Sequence, residues 1–199
     1  GQALREEIRA FVAEHLPADL RDELYTSGDS HHDGFVRAIG EKNWIVPEWE
    51  REGYEVLGKE AVHIINDELS KVDAPIYASA TGAMVANVIR QVGSEELQPI
   101  VDQVVRGEVT IALGMSEPEA GSDVATVQTK ARLADPDSPQ GGWIIDGQKM
   151  FTTNAHLCDY VFLLARTDPY SERHRGLTTF LLPMDLPGIE VQRVFTISG

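Results

Sequence analysis

Apolar residues recur every three or four positions through the first half of the chain. Leu4, Ile8, Phe11 and Val12 share one helical face ahead of Pro17, which predicts a helix over 2–16. Residues 17–30 are polar, contain Gly28 and read as a loop in which His31 and His32, just beyond, are solvated. Phe35, Val36 and Ile39 fit a short helix over 33–42, and Pro47 and Gly53 then interrupt the pattern. Leu57, Ala61, Ile64, Ile65, Leu69 and Val72 form the clearest 3.6-residue stripe and predict a helix over 57–72. Asp73 and Pro75 offer a cap and a first-turn proline for the next helix, which ends about residue 92. Its small residues suit burial on several sides. Ser94, with Glu95 and Glu96 matched to a helix N-terminal dipole, opens a last helix to about residue 106.

Past Gly107 the period changes to two. "VTIALGM", "TVQTKARLA", "GWIIDG", "DYVFLLART", "LTTFLLPM" and "GIEVQRVF" are short, rich in β-branched and aromatic residues, and punctuated by Gly, Pro and Asp. "DPDSPQGG" (135–142) reads as a hairpin tip and "DPYSERHRG" (168–176) as a longer connection. Helices followed by strands predict an α+β chain. We expect a helical domain over 1–107, then a mainly antiparallel β-domain over 108–199, closed as a barrel or sandwich. Gly1 stands directly ahead of a helical pattern and "VQRVFTISG" runs out without a terminal helix, so the β-domain is expected to be incomplete at its C-terminal end.

Charge and composition narrow the function classes. A formal net charge of −15 over 199 residues opposes non-specific binding to nucleic acid and to an anionic membrane surface. It leaves room for an anionic small ligand held by backbone N–H groups. One cysteine, Cys158, allows no intrachain disulfide and no multi-cysteine metal site, and beside "YVFLLA" it reads as a small buried hydrophobe. No apolar run approaches the length of a membrane span, and the charged, amphipathic start is no signal peptide, so a cytoplasmic location is expected.

The chemistry concentrates in two stretches. "MSEPEAGSD" (115–123) crowds Glu117, Glu119 and Asp123 around Pro118 and Gly121. It lacks the EF-hand pattern, the Gly-Lys-Ser/Thr ending of a P-loop and the three spaced glycines of a dinucleotide turn. No metal site is expected, and an acidic turn after a strand remains open. "DGQKMFTTNA" (146–155) follows the hairpin. The hydroxyls of Ser116, Ser122, Thr152 and Thr153, the ring of Phe151 and the bare backbone at Gly121 suit a planar, hydrogen-bonding, phosphate-bearing cofactor such as a flavin. No Ser-His-Asp or Cys-His order stands out.

Together, "GMSEPEAGSDVATVQTKARL", "WIIDGQKMFTTNA", "DYVFLLARTD" and "GLTTFLLPMDLPGIEV" resemble the acyl-CoA dehydrogenase family, and the helical half agrees over essentially the whole chain. The resemblance implies a helical N-terminal domain, a middle β-domain and a C-terminal four-helix domain, with FAD between the last two. It implies that Ser116 gives a hydroxyl to the flavin pyrimidine, with strand backbone of Leu113 and Met115 nearby. Gly121 and Ser122 fall where the loop meets the pyrophosphate and the CoA arm of the substrate. Phe151 stands where the family has an aromatic, often Trp, against the flavin. Thr152 and Thr153 match an Ile-Thr pair, with Thr153 at the position bonded to flavin N5. The implied reaction is α,β-dehydrogenation of an acyl-CoA thioester, with an electron-transfer flavoprotein as acceptor and an oligomeric assembly. The family's base is a glutamate, usually in the C-terminal domain, so no catalytic residue is expected in this chain. A flavin oxidase or monooxygenase on the same scaffold, and a non-catalytic half-length partner subunit, are the alternatives.

Overall fold

The computed structural model describes residues 1–138 and 141–194. The chain divides into two units, the first formed by Gly1–Thr110, to which Arg193 returns, and the second by Ile111–Gln192.

Helices build the first unit: α1 (Gln2–His15), α2 (Ala18–Ser27), α3 (Asp33–Glu41), α4 (Lys59–Ser70), α5 (Tyr77–Val92) and α6 (Gln98–Val105), the last preceded by a 3-10 turn at Glu95–Leu97. The apolar stripes meet in one core. Ile8, Leu16, Phe35, Ile65 and Leu69 are fully buried, and Phe11 stands edge-on to Trp44 with ring centres 5.0 Å apart. Each such side chain contributes roughly 1.5–3 kcal/mol through burial. At the edge of this core the Glu68 carboxylate is buried, accepting from Arg9 Nε (2.6 Å), Arg5 Nη1 (2.6 Å) and Lys71 Nζ (2.9 Å). The Arg9 and Lys71 bonds hold it far below the usual carboxylate range, against the opposing pull of burial.

Three local expectations fail here. Residues 17–30 hold a helix, α2, because Leu20 and Leu24 pack on the core; two apolar positions among polar neighbours carry too weak a period to read. His31 is buried and its Nε2 meets Asp33 Oδ1 at 2.9 Å, while His32 Nδ1 accepts the Phe35 amide and caps α3. α5 starts at Tyr77, two residues after Pro75, because residues 75–77 first pair with 30–32 in an isolated bridge, His31 opposite Ile76. Gly107 ends the helical run at φ +69, its amide bonded to Val104 O.

The second unit is a sheet of β1 (Ile111–Gly114), β2 (Lys130–Leu133), β3 (Trp143–Asp146), β4 (Tyr160–Arg166) and β5 (Leu177–Pro183). Its topology corrects the expected mainly antiparallel barrel or sandwich. β1 pairs in parallel with β4, Ile111 opposite Tyr160 through Gly114 opposite Leu163, and β2 joins β4 in parallel at Lys130–Arg166. Only the β2–β3 and β4–β5 pairs are antiparallel. The order β1-β4-β2-β3, with β5 on β4, leaves the sheet open and mixed; among the described residues no pairing closes it. Alternation along a strand fixes which side chains share a face but not which strand lies alongside. The signal for parallel pairing was the near-continuous apolar character of "IALG" and "YVFLLA", typical of parallel strands covered on both faces. The expected strand over 188–195 does not form through residue 194, and Phe195 lies outside the described residues, as do positions 139 and 140 of the expected hairpin tip.

Candidate functional site

β1 delivers the chain into the 115–123 loop, and β3 delivers it into the 147–154 loop before β4. The two loops are joined. The Met150 amide donates to Ser116 O at 2.9 Å, and Lys149 Nζ reaches both Glu117 Oε1 (2.7 Å) and Met115 O (3.3 Å). Glu117 also takes the backbone N–H groups of Gln128 (2.6 Å) and Thr129 (3.0 Å), so one carboxylate ties three segments together. Both side chains of the pair are buried, Glu117 4% and Lys149 9% exposed. Burial raises the carboxyl's pKa, but the Lys149 ammonium and the converging N–H groups outweigh it and hold Glu117 at about 2. Asp123 plays a smaller part, accepting the Ala125 amide to cap the 3-10 turn at Val124–Thr126.

Around this junction stand the residues singled out in the sequence. Leu113 lies in the β1–β4 ladder opposite Phe162, and Met115 has its carbonyl committed to Lys149. Ser116 is half-buried and its hydroxyl makes no bond to any described residue. Gly121 and Ser122 are exposed, and a Cβ at Gly121 would meet nothing within 4 Å. No neighbour among the described residues therefore requires glycine at 121. Phe151 is 76% exposed and holds φ +57, a conformation that is strained for an aromatic residue. The Thr153 amide bonds Phe151 O at 3.0 Å, leaving its exposed hydroxyl only a 3.5 Å contact with the same carbonyl. Thr152 Oγ1 is buried without a partner.

These features fit a planar polar cofactor. A large ring is held out toward solvent at a cost in backbone strain, and the same two loops carry the Ser116 and Ser122 hydroxyls and that of Thr153, which has only its 3.5 Å contact with Phe151 O. What sequence reasoning missed is the Glu117–Lys149 pair. The two residues lie far apart in the chain, and only the presence of a lysine directly before "MF" hinted that its charge is answered from elsewhere.

The comparisons with known proteins identify the family. The model described as "Acyl-CoA dehydrogenase, N-terminal domain" matches residues 1–108, and that of the middle domain matches residues 112–199. The acyl-CoA dehydrogenase FadE34 of Mycobacterium tuberculosis is 34% identical over 98% of this chain and 25% of its own length. The ChsE4-ChsE5 complex of M. tuberculosis superposes with a TM-score of 0.85 at 27% identity, over 98% of this chain and 50% of that one. A glutaryl-CoA dehydrogenase of M. smegmatis, solved with FADH2, gives 0.69 at 25% identity, over 92% and 46%. The chain thus spans from a quarter to about half of the proteins it matches. Matched along both halves by successive domains of one family, the chain belongs to the acyl-CoA dehydrogenases.

Proposed function

We propose that this chain supplies the helical domain, residues 1–107, and the flavin-facing β-domain, residues 108–199, of an FAD-dependent acyl-CoA dehydrogenase. The observation that carries the reading is the junction of the two loops, which sets the exposed Phe151 ring, the Ser116 hydroxyl and the weakly held Thr153 hydroxyl on neighbouring segments. The substrate class is an acyl-CoA thioester, which loses a proton from Cα and a hydride from Cβ. FAD, when bound, supplies the two-electron acceptor for that hydride. Ser116 and Thr153 would hold it by its pyrimidine side and N5, Phe151 would cover it from water, and Gly121 and Ser122 would meet its pyrophosphate and the CoA arm. Leu113 would lend strand backbone, as would the amide of Met115. Thr152, next to Phe151 in the chain, would belong to the same wall.

Glu117, the carboxylate at the loop junction, does not take the α-proton. Glu117 accepts three hydrogen bonds in a buried ion pair and is held at about 2, which makes it a poor base at neutral pH. Following the resemblance to the family, the base is expected from a part of the enzyme outside these residues. An electron-transfer flavoprotein is the natural acceptor for the reduced enzyme, and fast reoxidation by O₂ instead would mark an oxidase. A second reading has specific support: the ChsE4-ChsE5 relative is a complex of two differently named chains, so a partner subunit can carry the remaining groups.

Thr153→Val keeps the side-chain shape and removes the donor. In the native holoprotein it is expected to slow flavin reduction by at least about tenfold, ~1.4 kcal/mol of barrier, with a smaller change in acyl-CoA affinity. Ser122→Ala is expected to show the reverse balance. Stopped-flow reduction across a substrate titration reads both quantities, and equal effects of the two variants on rate and affinity would sink the assignment of the loops. The native protein is also expected to purify yellow; a colourless preparation that FAD cannot reconstitute removes the dehydrogenase reading altogether.

A further inference from the structure

Lys149 is an expensive residue where it stands. Its ammonium is almost fully removed from solvent, and a hydrophobic pair of similar volume would hold two loops together at least as well. What an apolar pair lacks is direction. Lys149 Nζ is fixed between the Met115 carbonyl and Glu117 Oε1, while the next residue, Met150, returns its amide to Ser116 O. Two consecutive residues of one loop are thus registered against three consecutive residues of the other. The registration stops immediately before Phe151, the residue whose backbone is strained and whose ring is presented. Non-glycine residues persist in that region only when their surroundings hold them there.

We infer that the Glu117–Lys149 pair is a positioning clasp: it sets the register of the Ser116 loop against the Phe151 loop, and with it the geometry in which FAD is held. The inference rests on the flavin reading above. Ser116 and Phe151 are anchored on opposite sides of the clasp, each within two residues of it, so a slip in register moves a hydrogen-bond donor and an aromatic face relative to each other. A cofactor that needs both then loses one. Glu117 extends the same control to Gln128 and Thr129, at the entry to β2, which keeps the clasp attached to the sheet.

A double substitution separates positioning from stability. Lys149→Met alone leaves Glu117 as an uncompensated buried charge and is expected to destabilise the β-unit. Combined with Glu117→Gln, no lone charge remains, and folding is expected to return close to wild type while the register stays unset. In the native holoprotein the double variant is expected to fold, to show a visible flavin spectrum altered from that of wild type, and to bind FAD at least fivefold more weakly, measured by the fluorescence of FAD on titration. In the apo-protein the Met150 amide is expected to lose hydrogen-exchange protection while the β4–β5 ladder keeps its own. A double variant that fails to fold, or that binds FAD within fivefold of wild type, overturns the clasp. A wild-type protein that binds no FAD instead overturns the flavin reading on which it rests.

Discussion

Lowering the pH from about 5 to about 2 is expected to remove roughly 3 kcal/mol of β-unit stability through one carboxylate, Glu117. Its pKa falls from an ordinary 4.5 to about 2 in the folded protein, because Lys149 and the Gln128 and Thr129 amides favour the ionised form more than burial disfavours it. A depressed folded pKa contributes stability that is complete above the unfolded value and disappears as pH falls through the folded one. Glu117→Gln resembles the protonated carboxyl at every pH. The stability gap between wild type and this variant should therefore be about 3 kcal/mol at pH 7 and close toward zero near pH 2. Native-state hydrogen exchange at the amides of Phe162 and Leu163, in the centre of β4, reads the gap in the intact protein. A gap that stays constant from pH 6 to pH 2.5 would show that Glu117 is not held by its ion pair.

In the helical unit, Gly107→Ala is expected to cost about 3 kcal/mol. One part is conformational: φ is +69, where an L side chain crowds its own backbone, at about 1–2 kcal/mol. The larger part is contact. A Cβ there would lie 2.4 Å from Val36 O, 2.7 Å from Val36 C and 3.0 Å from Arg37 Cα. These are backbone atoms of α3, which cannot retreat as a side-chain tip can, and overpacking of this kind costs roughly 1–3 kcal/mol. Gly53→Ala separates the two parts, since Gly53 also has positive φ (+83) but nothing within 4 Å. For a unit of this size the Gly107 variant should melt at least about 10 °C below wild type and the Gly53 variant only about half as far. Equal shifts would mean that α3 yields and the contact carries no cost.

How much of this was legible depended on how local each feature is. The stripe Leu57 to Val72 announced α4 because a helix buries its own periodic face, whatever lies opposite. The residues of the two candidate loops stood out because serines beside a glycine in 115–123, and an aromatic beside two threonines in 146–155, are chemically conspicuous. What stayed hidden was set by partners far along the chain. Nothing near Ile111 names Tyr160 as its neighbour, so the mixed, open sheet was read as an antiparallel barrel. Glu117 looked like one of three loop carboxylates, and only the fold shows that it is buried against Lys149 while Glu119 is exposed. α2 was lost because its helical state rests on only two core-packed positions, Leu20 and Leu24, which are too few to show a period among polar neighbours.

The parallel pairing of β1 with β4 also bears on the order in which the unit assembles. The β4–β5 ladder closes across the connection 167–176, whereas β1 must find β4 across about 50 residues. Loop-closure entropy grows with that separation, and contacts of long range form late. The hairpins β2–β3 and β4–β5 are therefore expected to precede the seating of β1. The Ser116 loop, which hangs from the end of β1, reaches its place last. A folding chain then exposes the Phe151 segment before the Glu117 carboxylate arrives to receive Lys149, and during that interval the lysine sits in water, fully hydrated. Its dehydration is therefore expected to come late in building the β-unit, so that protection of the Met150 amide in pulse-labelled refolding should lag that of the β4–β5 ladder.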